Sequence, residues 1–294
     1  MNQVEIYQAV TEKILAHLNQ GTIPWRKPWT ASGLVPQNLA TKRPYSGINQ
    51  ILLSIAAFTS PYYLTFKQVR ELGGTVRKGA KSELIVFWKI LQTKDAKTEE
   101  TKKIPLVRYY NVFNVEQTTG LESKIPKSSP AIDFNPIVKC EEIISGYQGA
   151  PTVRHGGDDA CYAPILDLIR IPVKTSFKSS AGYYASLFHE MVHSTGAKNR
   201  LNREGVADLI KFGSHSYSVE ELTAEIGASF LCAQASIDST FENSVAYIQM
   251  WAGVLKNDPK IIFTASARAQ KAVNWILGDR ESKEDENPAC NLAA

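Results

Sequence analysis

The stretch Leu187-Phe188-His189-Glu190-Met191-Val192-His193 decides how the second half of the chain reads. Its two histidines stand four residues apart, with a glutamate directly after the first. On an α-helix such a pair projects about 40° apart. Both imidazoles can then close on one cation while Glu190 reaches past it toward a bound water. Leu187, Phe188, Met191 and Val192 cover the other side and anchor that helix in a core. With five His and 19 Glu in 294 residues, chance places H-E-x-x-H in roughly half a percent of such chains. A solvated pair of histidines is the weaker reading.

A cation held by two histidines needs a third protein ligand if a fourth position is to stay open to water. The acidic run Glu220-Glu221-Leu222-Thr223-Ala224-Glu225 supplies candidates, far enough from His193 for a helix, a turn and a second helix. Glu221 and Glu225 lie four apart, so one can bind the metal while the other accepts a histidine N–H. The spacing alone leaves their order open. Ser218-Val219-Glu220-Glu221 also reads as a capping box in which Glu221 only serves a helix start. Tyr217 and His215 precede the run, and either is a candidate donor to a developing oxyanion. With Glu190 as proton acceptor, the set describes amide hydrolysis. Asp167 to Pro172 is a candidate edge strand for an extended peptide. Zn²⁺ is the expected ion, and Mn²⁺ or Co²⁺ also suits two histidines and a carboxylate.

Outward from this motif the chain divides by charge. Residues 1–130 carry 18 Lys+Arg against 9 Asp+Glu, whereas residues 131–294 carry 15 against 20. The sign changes in a stretch rich in proline, serine and charge around Leu121 to Pro130, which suits neither a helix nor a strand interior. We therefore expect domains over 1–121 and 135–280, a linker over 122–134 and a loose tail over 281–294. Helical periodicity marks Gln3 to Leu18, through Val4, Tyr7, Ile14 and Leu18, and also Gly47 to Phe58. Glu83 to Gln92 and Ile104 to Asn114 have strand composition and flank a charged hairpin loop. Asn135-Pro136 opens a helix to Ser145, and long helical patterns follow near 180–196, 218–235, 241–256 and 259–278. The fold class is α+β in two domains, the first mixed and the second mainly helical.

Other features exclude classes. No apolar run reaches the roughly 18–20 residues of a membrane-spanning helix, and Met1-Asn2-Gln3-Val4-Glu5 lacks a signal-sequence pattern. The expected location is the cytoplasm. Cys140, Cys161, Cys232 and Cys290 form no C-x-x-C pair, so we read them as reduced and mostly packed.

The basic half places rings beside cations and amides: Trp25-Arg26-Lys27-Pro28-Trp29, Arg43-Pro44-Tyr45, Tyr63-Leu64-Thr65-Phe66-Lys67, Trp88-Lys89 and Arg108-Tyr109-Tyr110. Arg77-Lys78-Gly79-Ala80-Lys81 adds a cationic turn. Single-stranded DNA suits this mixture, since cations follow phosphates and bases stack on rings for about 1–3 kcal/mol each. The candidate contacts are Trp25, Arg26, Lys27, Trp29, Arg43, Tyr45, Tyr63, Lys67, Arg77, Lys78, Lys81, Trp88, Lys89, Arg108 and Tyr110. About half of such rings are ordinary core in any globular domain, and RNA or an acidic protein would suit the same charge.

From about Tyr7 to Leu277 the chain resembles the ArdC-type antirestriction proteins of conjugative plasmids. The first half carries this in Trp25-Arg26-Lys27-Pro28-Trp29, Asn38, Arg43-Pro44-Tyr45-Ser46-Gly47-Ile48-Asn49, Tyr63-Leu64-Thr65-Phe66-Lys67-Gln68 and Gly73-Gly74 with Arg77-Lys78-Gly79. The second half carries it in His189-Glu190-Met191-Val192-His193-Ser194-Thr195-Gly196, Arg200-Leu201, Tyr217 and Glu221-Leu222-Thr223-Ala224-Glu225-Ile226. Ala197 stands where the resemblance leads us to expect histidine, outside the metal set. The resemblance implies a single-stranded-DNA-binding domain joined to a zincin metalloprotease-like domain, with incoming plasmid DNA shielded from host restriction enzymes. It further implies that His189 and His193 bind metal with Glu221 as third ligand and Glu225 behind it. Two other readings stand beside this one. One is a cytosolic zinc metalloprotease whose first domain recognises protein substrates; the other is a non-catalytic binder with a structural metal.

Overall fold

The computed structural model describes residues 1–26, 34–56, 58–94, 101–126, 136–203, 206, 215–237 and 245–279. Its elements in chain order are α1 (Gln3–Asn19), β1 (Gln37–Asn38), α2 (Ile48–Ser54), β2 (Tyr62–Thr65), α3 (Phe66–Glu71), β3 (Thr75–Val76), β4 (Glu83–Lys94), β5 (Thr101–Asn114) and β6 (Thr118–Thr119). There follow α4 (Pro136–Gly146), β7 (Thr152–His155), β8 (Cys161–Ala163), β9 (Leu168–Ile171), α5 (Ser180–Ser194), α6 (His215–Gln234), α7 (Val245–Asn257) and α8 (Ile261–Ile276). The chain packs as two units, one built from Met1–Lys13 and Trp29–Lys127 and the other from Ile14–Pro28 and Ser128–Ser282.

The first unit is organised by the long β4–β5 hairpin, whose ladder runs from Glu83↔Val112 to Lys94↔Thr101. Strand pairing therefore takes in Thr93, Lys94 and Thr101 to Lys103, which we expected in the loop; residues 95–100 lie outside the described set. The sheet order is β1-β2-β5-β4, with β3 and β6 forming a separate pair. Alternation sorts β5 into two faces. Val112 joins Tyr45, Leu53, Tyr63 and Ile85 in a buried cluster against which Tyr110 packs, leaving Tyr109, Asn111 and Phe113 on the other face.

Two asparagines tie this unit together. Strand β4 is an edge, and the buried Asn49 of α2 meets the outward backbone of Val86 twice, accepting from its N–H and donating to its carbonyl, each at 2.7 Å. It thereby takes the place of a missing strand and covers the edge. Asn38 is equally buried; its oxygen accepts from the backbone of Ala40 and Thr41 and its amide donates to Gln68 Oε1. Gln68 also closes a capping box with Thr65 at the start of α3.

Several expectations change here. The second helix ends at Ser54 and not at Phe58. In α1 the buried stripe is Ile6, Tyr7, Val10, Ile14 and Leu18, while Val4 is 60% exposed. Residues 122–126, expected as linker, fold back on the first unit: Lys124 Nζ donates to the Leu72 carbonyl and Ile125 packs on the cluster of Leu39, Leu64, Val69, Val115 and Leu121. Residues 127–134 and the tail from 280 onward lie outside the described set.

The second unit sets a small sheet beside a helical core. Helix α6 packs on both α5 and α8, and its close approach to α5 requires a glycine. A Cβ at Gly227 would lie 2.8 Å from Val192 Cγ2. The sheet order is β7-β9-β8, parallel between β7 and β9 and antiparallel between β8 and β9. The Asp167 to Pro172 segment is thus the central strand, paired on both sides, and not the edge we expected; β8 is an edge. Helix α6 begins by His215, so Ser218 lies inside it and the capping-box reading of Ser218 and Glu221 does not hold. Cys140 and Cys232 are buried free thiols and Cys161 is a half-buried one; burial pushes the Cys140 thiol up to about 11.

Candidate metal centre

Helix α5 is capped by the preceding Ser179, whose hydroxyl accepts from Gly182 N–H. Its apolar stripe, Leu187, Phe188, Met191 and Val192, is buried, so both histidines turn to the other side. There the His189 and His193 Nε2 atoms approach to 3.1 Å, with the rings nearly perpendicular. From α6, Glu221 sends Oε2 to 3.6 Å from His189 Nε2 and Oε1 to 3.6 Å from His193 Nε2. One ligand atom from each of these residues falls within 4.8 Å of the other two. Burial raises the Glu221 carboxyl, but the two histidines and the Tyr217 hydroxyl together hold it below the usual carboxylate range.

The three groups open on a cleft of about 410 Å³ whose walls include Glu190, Tyr217, Cys161 and Tyr162. Glu190 Oε2 accepts the backbone N–H of Tyr162 at 2.7 Å, which fixes the carboxylate against the outward edge of β8. Tyr217 stands beside Glu221, and burial with that negative neighbour pushes its phenol up. His215 sits apart from this cleft and pairs with Asp258 at 3.1 Å.

One participant had no role in our reading of the motif. Glu220, 3% exposed, places Oε1 3.2 Å from His193 Nδ1. Arg203 donates to both oxygens of Glu220, at 2.9 and 2.7 Å, and also to Thr195 Oγ1 and the Val192 carbonyl. Burial alone would raise Glu220, but Arg203 and His193 outweigh it and keep the carboxyl ionised. The same contact drives His193 upward against its own burial. Glu225, one turn past Glu221, is 1% exposed. Sequence offered one hint of this pairing, an arginine ten residues beyond a metal-motif histidine, but nothing in the spacing marks it as buried.

The candidate DNA contacts scatter. Trp25 is fully buried and meets Trp251 edge-to-face at 6.2 Å within the second unit, so it is core and not a stacking platform. Tyr45 and Tyr63 are core as well, 2% and 0% exposed. Tyr63 donates to the Leu53 carbonyl, and burial pushes Tyr45 up to about 12. Tyr110 is half-buried against the same cluster. Arg43, Lys67, Arg77, Lys78, Lys81 and Arg108 are exposed. Lys27 and Trp29 lie outside the described residues, as do the side chains of Arg26, Trp88 and Lys89. Among the described residues no helix is long and apolar enough to cross a membrane.

Comparison with known proteins matches two family models in order along the chain. Residues 4–113 match the family model for the N-terminal domain of anti-restriction factor ArdC, and residues 139–268 match the zincin-like metallopeptidase model. The chain is 33% identical over 95% of its length to DNA primase TraC of Escherichia coli, but covers 28% of that protein. It thus spans about a quarter of that relative. An uncharacterised protein of Sinorhizobium fredii, y4eC, is 32% identical, with 92% of this chain and 91% of that one covered. Two crystal structures of the antirestriction protein ArdC from plasmid R388 are similar throughout. The metal-free form has a TM-score of 0.71 at 36% identity, covering 92% of this chain and 96% of that one. The Mn(II)-bound form has 0.74 at 34% identity, covering 95% and 99%. With both halves matched in order and 96% of a solved relative covered, the chain belongs to the ArdC family of antirestriction proteins, an ArdC-type N-terminal domain followed by a zincin-like domain.

Proposed function

We propose that this protein binds single-stranded DNA through its first unit, carries a metal-dependent peptidase-like centre in its second, and protects incoming plasmid DNA from host restriction in the cytoplasm. The observation that carries the reading is the convergence of His189, His193 and Glu221 on one point beside Glu190. Two imidazole nitrogens and a carboxylate facing a shared space fit a divalent cation with a position left open. Zn²⁺ suits that donor set, with Mn²⁺ or Co²⁺ as substitutes, and the Mn(II)-bound R388 protein supports a cation here. Glu225 serves as a buried acid behind Glu221.

When bound, the cation supplies Lewis-acid polarisation and a water that ionises near neutral pH. The remaining work falls to the chain. Glu190, held by the Tyr162 N–H, takes the proton. Tyr217 offers a hydroxyl at the cleft wall for a developing oxyanion. The outer edge of β8 takes the place we had given to Asp167–Pro172 as a rail for extended peptide. A host restriction enzyme or another protein is the substrate such a cleft would serve.

The test is transfer of a restriction-sensitive plasmid into a restricting host. Glu190→Ala should retain metal and single-stranded-DNA affinity. Loss of protection in that variant makes peptidase chemistry part of the function, whereas full protection reduces the centre to a binding or structural role.

A further inference from the structure

Of the rings that sequence proposed for base stacking, Trp25, Tyr45 and Tyr63 are interior, yet other aromatic side chains reach the surface of the first unit. Phe66, the first residue of α3, is 53% exposed. Its ring meets Phe113 of β5 edge-to-face at 6.4 Å. Strand alternation puts Asn111 and Tyr109 on the same face as Phe113, because Tyr110 and Val112 are turned to the core cluster. Asn111 is exposed, and Tyr109 and Phe113 are half-exposed. Successive same-face residues on a strand stand about 6.6–6.8 Å apart, a spacing an unstacked strand of bases can follow.

Charge complements the rings. Arg70 lies one helical turn from Phe66 on the same face of α3, and Lys67 is exposed next to Phe66, in a surface pair with Glu71 at 3.9 Å. Residues 1–130 as a whole carry twice as many cationic as acidic side chains, 18 against 9. Exposed cations beside partly exposed rings suit a polyanion with accessible π-faces.

We propose that Phe66, Phe113, Asn111 and Tyr109 form the base-contacting surface for single-stranded DNA, with Lys67 and Arg70 following the phosphates. This rests on the single-stranded-DNA reading above and replaces Tyr45, Tyr63 and Trp25 as its stacking residues. One base stacks on the exposed Phe66 ring, which Phe113 braces edge-on, Tyr109 takes another, and the Asn111 amide hydrogen-bonds a base edge.

The test is fluorescence anisotropy of the full chain with a fluorescent oligo-dT across a range of salt, with thermal melting as a fold control. Phe66→Ala and Tyr109→Ala should each weaken binding by roughly 5- to 150-fold, the range for one lost base stack, with an unchanged salt slope. Phe66→Leu should lose as much as Phe66→Ala, and Phe66→Tyr should keep wild-type affinity. Lys67→Ala should lower the salt slope by about 1. Wild-type protein that fails to bind even at low salt would overturn both this surface and the reading it rests on. Wild-type binding matched by folded Phe66→Ala and Tyr109→Ala would leave that reading standing and remove this surface alone.

Discussion

His193 Nδ1 lies 3.2 Å from Glu220 Oε1 while the Nε2 of the same ring faces His189. One ring is therefore gripped on one side by an ionised, buried acid and presented on the other toward Glu221. Arg203 completes the arrangement by fastening Glu220 to the carbonyls that end α5, so ring orientation depends on a contact between two helices. Gly196 makes room for it, since a Cβ there would lie 3.1 Å from Arg203 Nη2.

Removing Glu220 should act twice. Glu220→Ala leaves Arg203 buried without its carboxylate, at about 3–5 kcal/mol in stability. It also frees the His193 ring, which should weaken metal affinity by about 10–100-fold. The double variant Glu220→Gln with Arg203→Met should recover stability but not affinity. Chemical denaturation paired with competitive metal titration separates the two effects.

The two acids a turn apart on α6 should behave differently. Glu221→Ala should abolish stoichiometric metal binding in a folded protein, whereas Glu225→Gln should weaken it by no more than about 100-fold, as expected of a group one layer out. Metal content after dialysis, measured by elemental analysis, distinguishes them; the reverse ranking would move the third ligand to Glu225.

Trp25 and Asn49 should register as structure. Trp25→Ala removes a fully buried ring packed on Trp251 and should cost about 3–5 kcal/mol, leaving single-stranded-DNA affinity unchanged in the folded fraction. Asn49→Ala strips two hydrogen bonds from the Val86 backbone and should cost about 2–6 kcal/mol, at about 1–3 kcal/mol for each buried group left unsatisfied. Thermal melting beside DNA binding checks both.

Acid should loosen the β8–β9 hairpin. Burial raises the Asp167 carboxyl, but Arg200 and the Tyr162 hydroxyl together hold it below its ordinary value. A carboxyl lowered by folding contributes stability in full above its unfolded value and loses it as pH falls through the folded one. Asp167→Asn should therefore lower Tm at neutral pH, and the gap from wild type should close below about pH 4.

These outcomes bear on how far the chain could be read unaided. Helix α5 was legible because its histidines and its apolar stripe share one period; the need for a third ligand pointed to the acidic run from Glu220 to Glu225, and the family resemblance, not the spacing, singled out Glu221. Glu220 was not, because spacing within α6 sets which residues share a face but not how α6 is rotated against α5. Trp25 stands beside Arg26 in sequence yet packs inward on Trp251, and Tyr63 and Leu64 are both buried, in separate clusters, because β2 is covered on both faces; neither burial is marked by the local pattern. The edge position of β8 was hidden for a related reason: three residues, Cys161–Ala163, carry too little pattern to announce a strand, so the better-marked Asp167–Pro172 drew the role.

The central claim is a divalent cation bound by His189, His193 and Glu221. Anomalous diffraction from crystals of the zinc-loaded protein tests it most directly. The account predicts one peak per chain, about 2.0–2.2 Å from the Nε2 atoms of His189 and His193 and from a Glu221 carboxylate oxygen, with an open position toward Glu190. A peak elsewhere, or none at this site at saturating zinc, would contradict it.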